Sequence, residues 1–267
     1  MNSLPFQKSA DFISAWFERG HHDIAIVLGS GLGGFTKHLT DKTVLGTDKI
    51  PDYPRSTVPG HIGEIVSARL AEKSILIFGG RVHYYETGST VDAAVTAIVS
   101  HHLGIRTLVL TNAAGILNEK FYPGDLMVIR DQINLTSRNV LLDMKMQPKD
   151  LNPIYSKELV TDISNAAEQL QTNLRSGIYL GLTGPSYETP SEVKFYRSLR
   201  GDAVGMSTIH EALFARYAGM RVLGISCLTN YSTGLTSKKL SHREVTRIGL
   251  KVDERFSQLL LRFIERV

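Results

Sequence analysis

The sequence has little of what holds small secreted or metal-binding domains together. Its 267 residues contain one cysteine, Cys227, which excludes an intramolecular disulfide. Cys227 lies inside the apolar run 222–228, so we predict a buried structural thiol. Histidines occur as adjacent pairs at 21–22 and 101–102; neighbours in a helix or strand point apart, and no Cys or Asp cluster joins them. We therefore expect no metal site, and a reducing compartment.

Long hydrophobic runs and blocks of one charge are also missing. Apolar stretches such as residues 24–28 and 75–78 are far shorter than the roughly 20 residues that span a bilayer. The formal net charge is only +4, without a block of consecutive Lys or Arg, so charge does not argue for nucleic acid and only weakly favours anionic ligands. Residues 1–20 show helical spacing of apolar side chains rather than a signal peptide. We expect a cytoplasmic protein that binds neither nucleic acid nor membranes.

Short β-like runs alternate with helical patterns along the chain. Several runs are almost continuously apolar, as strands of a parallel sheet covered on both faces are. We predict an α/β protein, a single domain of residues 1–267 with a twisted, mixed and mostly parallel central sheet flanked by helices. The predicted strands are residues 23–28, 64–70, 74–78, 107–111, 126–133, 177–183, 203–206 and 222–229. The predicted helices are residues 9–19, 32–40, 91–103, 156–172, 191–199, 209–217 and 242–265. The polar stretch 137–153 is predicted to be a long surface loop.

A glycine-rich string, GSGLGG at residues 29–34, directly follows the first predicted strand. Glycines let a backbone approach a bound anion, and a helix that begins after them offers unpaired N–H groups and a positive dipole end. The hydroxyl of Ser30 adds a donor. The string also satisfies G-x-G-x-x-G, with Asp48 near the spacing of a ribose-binding acid. A dinucleotide site, a phosphate site and a plain tight turn are equally compatible with it.

A second string, GGRVHYYE at residues 79–86, again stands at the end of an apolar strand. The guanidinium of Arg81 is a planar fork suited to phosphate oxygens, and an extended chain returns His83 to the same side. The alternative is a surface Arg–Glu pair with packed aromatic rings. His61, in a turn just before the next strand, is on its own more often structural than a ligand.

Further strings also stand near strand ends: LTNAAG at 110–115, GPSYET at 184–189, VGMST at 204–208 and LTN at 228–230. The small residues of LTNAAG allow backbone N–H groups to face a ligand. Tyr187 could stack on a base and Glu188 accept its N–H groups, whereas Ser207 could equally be a helix cap. Asn230 adds a side-chain amide. Because ligands of open α/β sheets gather beyond the carboxyl ends of strands, we expect these motifs to meet in one site.

In this order the motifs resemble the trimeric-type purine nucleoside phosphorylases. The strings are GSGLGG, GHIGE, GRVHYYE, LTNAAG, GDLMVIRDQIN, GPSYET, VGMST and LTN. The similarity runs from about residue 20 to the C-terminus; no single string decides it, but their joint register is highly specific. The resemblance implies a phosphorylase/hydrolase-like fold, a homotrimer, and a pentosyltransferase of purine salvage that needs no cofactor because inorganic phosphate is its co-substrate.

The resemblance also implies a role for individual residues. Those expected to hold phosphate are Ser30, His61, Arg81, His83, the backbone of Ala113, and Ser207. Those expected at the ribose are Tyr85, Met206 and His242, the last at the 5′-hydroxyl. Those expected at the purine are Tyr187, Glu188, Thr229 and Asn230. The catalytic residues among them would be Asn230, Glu188 and His83.

The implied chemistry is phosphorolysis of 6-oxopurine nucleosides to the free base and α-D-ribose 1-phosphate. Asn230 would donate to purine N7 and stabilise the departing base, a contribution of about 3–4 kcal/mol for a preorganised donor. Glu188 would accept N1–H of hypoxanthine or guanine; adenine presents a bare acceptor there, a penalised mismatch. The related methylthioadenosine phosphorylases carry Asp in place of Asn230 and generally lack a counterpart of His242. Both residues therefore point to inosine and guanosine.

The sequence departs from the family pattern at several places. The family's loop near 137–155 typically supplies a Phe to the neighbouring subunit's ribose site, and here it is shorter and has no Phe. Tyr187 stands where Phe is common, His210 where Pro is common, and Tyr231 where Lys or Met is frequent. These changes could tune the choice between guanosine and inosine.

Two other classes of function compete with a phosphorylase. A dinucleotide-dependent oxidoreductase would bind NAD, which a thermal-stability measurement can detect. A non-catalytic nucleoside-binding module has no need of intact GRVHYYE and GPSYET strings together with Asn230.

Overall fold

One mixed β-sheet organises the part of the chain that the computed structural model describes, residues 4–18, 21–58, 63–236 and 242–267 without the side chain of His242. Its nine strands are β1 (Ile24–Val27), β2 (Thr43–Gly46), β3 (Glu64–Leu70), β4 (Lys73–Phe78), β5 (Thr107–Ile116), β6 (Leu126–Asn134), β7 (Leu174–Gly181), β8 (Ala203–Gly205) and β9 (Arg221–Tyr231). The strand order is β2-β3-β4-β1-β5-β8-β7-β6-β9, and β5 also pairs with β9. Strands β5 to β9 therefore close into a ring, from which β1, β4, β3 and β2 extend.

The parallel pairing of four strands determines at which edge of the sheet a ligand is expected to bind. β4 pairs with β1, β1 with β5, and β5 with β9, each time in parallel. The carboxyl ends of these four strands consequently meet at one edge of the sheet, where α/β folds place their ligands.

Helices cover both faces of the sheet. They are α1 (Gln7–Phe17), α2 (Tyr84–Thr87), α3 (Thr90–Ala93), α4 (Val95–His102), α5 (Val140–Asp143), α6 (Lys157–Gln169), α7 (Pro190–Ser198), α8 (Ile209–Tyr217) and α9 (His242–Ile264), with 3₁₀ helices at Gly33–His38 and Thr47–Lys49. Along β1, Ala25 and Val27 join the core cluster that includes residues of α1, α4 and α8, whereas Ile24 and Ile26 join the cluster that includes residues of α6 and α9. Both sides of β1 are buried, which explains its unbroken apolar sequence.

The predicted α/β fold with a mixed sheet and flanking helices is confirmed; the extension of one domain over all of residues 1–267 stays a prediction. Strand β3 and helix α8 have the predicted bounds. Cys227 is fully buried, as predicted. No helix in the described ranges is long and apolar enough to cross a membrane.

Several predicted boundaries are wrong. The predicted helix 32–40 is a 3₁₀ helix, Gly33–His38, since consecutive glycines favour an α-helix poorly. The predicted helix 91–103 is interrupted at Ala94 (φ −101°, ψ 6°). The strand predicted for 107–111 continues as β5 to Ile116, because its small residues pair with β9. The strand predicted for 177–183 is β7, shifted toward the N-terminus.

Short elements were not predicted at all. Helix α5 lies inside the predicted loop 137–153, and strand β2 and helix α2 were missed. Elements of four residues are too short for a hydrophobic period to show in the sequence.

Candidate active site

A cleft of about 560 Å³ opens at the edge where β4, β1, β5 and β9 end. It is lined by the side chains or backbone of the following residues predicted for the site: Ser30, Arg81, His83, Tyr85, Ala113, Tyr187, Glu188, Met206, Ser207, Thr229 and Asn230. His61 lies outside the described residues, and so does the side chain of His242, whose backbone begins α9. The structure thus brings together eleven of the thirteen predicted residues, while their individual roles stay predictions.

The glycine-rich loop after β1 lies directly against β5. The backbone N–H of Gly29 donates to Thr111 Oγ1 at 3.0 Å, and a Cβ on Gly29 would stand 2.6 Å from the Cα of Asn112. Only glycine permits this approach. Asp48, the acid that a dinucleotide site would use, is exposed and does not line the cleft. The loop and Asp48 therefore do not form the dinucleotide site that was one interpretation of the string.

Arg81 follows β4 and is almost entirely buried, at 4% exposed. Its Nη1 donates to Ser207 Oγ at 3.0 Å, and its Nε lies 3.3 Å from Oε2 of Glu211. The predicted alternative of a surface Arg–Glu pair within GRVHYYE is wrong, because both charges of the observed pair are buried. A buried guanidinium beside a hydroxyl attracts an anion far more strongly than a guanidinium that is surrounded by water.

His83 is fixed by Glu86, which the sequence interpretation considered only as a surface partner of Arg81. Oε1 of Glu86 accepts from the His83 backbone N–H at 2.7 Å and lies 2.9 Å from His83 Nδ1. Burial opposes ionisation of Glu86, but hydrogen bonds from His83 and Thr57 outweigh it and lower its pKa to about 2. The His83 ring stacks on Tyr85, with centroids 5.0 Å apart and planes at 13°. The imidazole therefore has a defined orientation at the cleft.

A bulge between β5 and β9 places the base-side amide. Ala114 pairs with Leu228, and Gly115 with Asn230, so Thr229 is the extra residue of β9. Bulges of this kind re-aim side chains. Thr229 Oγ1 donates to Asn230 Oδ1 at 2.8 Å, and Asn230 Nδ2 donates to the carbonyl of Tyr231 at 3.2 Å. The amide oxygen is thus held against β9, and one N–H of Asn230 is left for a ligand.

Glu188 and Tyr187 border the cleft at the start of α7. Glu188 is 8% exposed and Tyr187 41%. Burial, with Glu192 nearby, raises the pKa of Glu188 despite a hydrogen bond from its own backbone N–H. Thr189 caps α7 through a capping box with Glu192, which fixes the backbone directly after Glu188. A partly desolvated carboxylate here is suited to accept ligand N–H groups.

Three less polar side chains also line the cleft. They are Tyr85 and Met206, both predicted for the site, and Val245 of α9, which was not predicted. Burial and the nearby Glu86 and Tyr187 raise the pKa of Tyr85 to about 12, so its hydroxyl stays protonated at neutral pH. Gly184 leaves the space that Met206 occupies, since a Cβ there would stand 2.4 Å from the sulfur.

His210, one of the departures from the family pattern, lies behind the cleft rather than on it. It is 6% exposed, and burial lowers its pKa to about 4. Within the described ranges, no group of three His, Cys, Asp or Glu side chains is placed to hold a metal ion. The expectation that no metal takes part stays a prediction.

The chain is similar to known proteins over nearly its whole length. A sequence model of the phosphorylase superfamily matches residues 23–265. The chain is 38% identical to purine nucleoside phosphorylase 1 of Geobacillus stearothermophilus, over 100% of this chain and 97% of the relative. It is 40% identical to purine nucleoside phosphorylase 1 of Bacillus subtilis, over 89% of each. The chain belongs to the purine nucleoside phosphorylase family.

A solved structure of another member agrees with the fold. The Schistosoma mansoni purine nucleoside phosphorylase in complex with inosine superposes with a TM-score of 0.89 at 30% identity, over 98% of this chain and 95% of that one; it has also been solved with adenosine. As a member of the family, this chain is a transferase of nucleoside metabolism.

Sequence interpretation missed the residues that support the site rather than line it. Glu86 stands three residues after His83, which is not a usual cap residue, so the capping box that it forms had no readable signal. Glu211 stands three residues after Thr208 and had one, because Thr followed by Glu three residues later is the sequence of a capping box. That Glu211 meets Arg81 had no local signal, since they are 130 residues apart in the sequence.

Proposed function

We propose that this enzyme catalyses reversible phosphorolysis of 6-oxopurine ribonucleosides and deoxyribonucleosides, releasing the free base and α-D-ribose 1-phosphate in purine salvage. One observation carries the proposal. A single cleft joins a cationic, hydroxyl-rich end at Arg81 and Ser207 to an end that presents a carboxylate, Glu188, and an amide N–H, Asn230. The first end suits phosphate, and the second suits the polar edge of hypoxanthine or guanine.

The phosphate end is proposed to form a cage of charge-assisted hydrogen bonds. Its proposed donors are Ser30, Arg81, His83, the backbone N–H of Ala113, and Ser207, with His61 close by. Each such bond to a charged group contributes roughly 1.5–3 kcal/mol. His83, which Glu86 orients through Nδ1, is proposed to contact the phosphate through its other ring nitrogen. This is the catalytic role we propose for His83.

The base end is proposed to select and stabilise the leaving group. Glu188 accepts N1–H of a 6-oxopurine, Tyr187 flanks the ring, and Asn230 donates to N7. The hydroxyl of Thr229 already bonds Asn230, so we propose that Thr229 acts on the base by orienting that amide. The ribose would lie between the two ends against Tyr85 and Met206, with His242 at its 5′-hydroxyl.

The proposed reaction breaks the bond between C1′ and N9 and forms one between C1′ and a phosphate oxygen. Positive charge develops on the ribosyl ring, and the phosphate dianion beneath it stabilises that charge and then attacks with inversion. The electron pair of the broken bond passes to the purine, where the Asn230 N–H stabilises it at N7. The Asn230 amide is bonded to Thr229 and the Arg81 guanidinium to Ser207 within the protein itself, and such preorganisation is the condition for electrostatic catalysis.

We also propose a cytoplasmic homotrimer that uses no cofactor or metal, with nucleoside and phosphate as its partners rather than nucleic acid or membrane. The trimer rests on the resemblance to the trimeric-type enzymes, and light scattering after size-exclusion chromatography tests it. The 137–155 loop has no Phe, so we assign no residue from it to a neighbouring site.

A comparison of nucleoside substrates tests the proposed function. Inosine, guanosine, xanthosine, adenosine and methylthioadenosine are compared with phosphate present, by kcat/KM. We expect inosine and guanosine to lead. A preference for adenosine or methylthioadenosine would overturn the assignment of Glu188 and Asn230.

A further inference from the structure

A buried acid, Glu211, lies behind the phosphate end of the cleft. It is 1% exposed and does not line the cleft itself. One of its oxygens, Oε1, accepts from Thr96 Oγ1 of α4 at 2.7 Å. The other, Oε2, accepts from the backbone N–H of Thr208 at 3.1 Å and lies 3.3 Å from Arg81 Nε. A single carboxylate thus contacts the segment after β4, helix α4 and the turn that precedes α8.

The pair of Glu211 and Arg81 is desolvated on both sides, with side chains 1% and 2% exposed. A buried ion pair contributes little to stability by itself, but a partner left alone becomes an uncompensated buried charge. Glu211 approaches Arg81 at Nε, while Nη1 points to Ser207 Oγ. Because the guanidinium is planar and rigid, holding Nε fixes the direction of its outer N–H groups.

The same carboxylate holds a strained turn. Thr208 has φ 75° and ψ −42°, and the N–H of Ile209 donates to the carbonyl of Ser207 at 2.8 Å, so Thr208 is the central residue of a γ-turn. Such a turn is rare and costly for a β-branched residue. Strain of this kind persists only where the surroundings impose it. Here Glu211 binds the Thr208 N–H, and Asn112 Nδ2 donates to Thr208 Oγ1 at 2.8 Å.

We propose that Glu211 is a positioning residue for phosphate in this enzyme. It aligns the Arg81 guanidinium and the Ser207–Thr208 turn together, so that the donors from two distant segments converge on one anion. The inference rests on the proposed function, because it assigns these donors to phosphate. A residue that only stabilised the fold would affect both substrates alike. A positioning role predicts that loss of Glu211 raises the KM for phosphate and leaves the KM for the nucleoside nearly unchanged.

The test compares steady-state kinetics of the wild-type enzyme with Glu211→Gln, varying phosphate and inosine separately. Gln keeps the size of the side chain but removes the negative charge that faces Arg81 and leaves one accepting oxygen in place of two. We expect the KM for phosphate to rise about tenfold or more, the loss of roughly one charge-assisted contact, while the KM for inosine changes by no more than about twofold.

Glu192→Gln is the matched control. Glu192 occupies the same capping-box position in α7 that Glu211 occupies in α8, but it is exposed and accepts hydrogen bonds from Thr189. We expect it to leave the KM for phosphate unchanged, because it alters the start of α7 and not that of α8.

Thr96→Val is the second variant if Glu211→Gln does not fold. It removes the hydrogen bond to Oε1 and keeps the shape of the residue. We expect a smaller but selective rise in the KM for phosphate. An unchanged or lowered KM for phosphate in the folded variant, or an equal rise in both KM values, overturns the inference. If the wild-type enzyme itself releases no base in the presence of phosphate, the proposed function has failed instead.

Discussion

Truncating Asn230 to alanine removes the donor proposed for the leaving base. In the structure, Oδ1 of Asn230 is fixed by Thr229 at 2.8 Å and Nδ2 by the Tyr231 carbonyl at 3.2 Å. The remaining N–H is therefore oriented before any substrate binds. A preorganised donor of this kind is worth about 3–4 kcal/mol in the transition state, so we expect kcat to fall by roughly 10²–10³.

The fold is expected to survive this change. The variant loses two hydrogen bonds of roughly 1 kcal/mol each, against a typical stability of about 5–15 kcal/mol. Thr229 Oγ1 keeps a longer contact with the Ala114 carbonyl at 3.4 Å. A thermal melt of the variant should therefore show one cooperative transition a few degrees below that of the wild type.

The assay follows hypoxanthine release from inosine at saturating phosphate, with kcat and KM determined separately. Since the interaction is proposed for the transition state, kcat and kcat/KM should fall together. Thr229→Val is the matched variant, because it keeps the Asn230 amide but removes the hydroxyl that orients it; we expect about a tenfold loss. A folded Asn230→Ala enzyme with turnover like the wild type would refute the role of this amide.

Other predictions concern the two acids at the ends of the cleft. Glu188→Gln should lower kcat/KM for inosine by about 10² or more and raise the adenosine-to-inosine ratio, because the amide can donate to adenine N1; an unchanged ratio in the substrate comparison speaks against base contact. Since the pKa of Glu188 is raised above 4.5, kcat/KM for inosine should fall on the acid side at a pH above 4.5, and a pH profile of Glu188→Gln should lack that limb. Glu86 has its pKa lowered from 4.5 to about 2 in the folded state. Ionised Glu86 therefore contributes fully to the free energy of unfolding above pH 4.5, and this contribution is lost as the pH falls toward 2. Urea midpoints over that interval should decline less steeply for Glu86→Gln than for the wild type, and parallel curves would contradict the Glu86–His83 contact.

Local patterns in the sequence, together with the family resemblance that they carry, predicted eleven of the residues that line the cleft. Apolar strands that end in Gly-rich or small residues identified the positions of Ser30, Arg81 and Asn230, because parallel strands bring their carboxyl ends to one edge. The order of the motifs, and not any one of them, supplied the specificity.

Contacts between distant segments could not be predicted in the same way. The ring closed by β5 and β9 depends on strand pairing across more than 100 residues. The Arg81–Glu211 pair and the γ-turn at Thr208 depend on the packing of α4 and α8 against β5. The 3₁₀ helix Gly33–His38 differs from the predicted helix because local glycine content outweighs the following apolar spacing.

Phosphate dependence distinguishes phosphorolysis from hydrolysis of the same bond. Inosine is incubated with the enzyme with and without inorganic phosphate, and both hypoxanthine and ribose 1-phosphate are quantified. We expect equimolar amounts of both products with phosphate and no release of hypoxanthine without it. Hypoxanthine release at the same rate without phosphate, yielding free ribose, would contradict phosphorolysis and indicate a hydrolase instead.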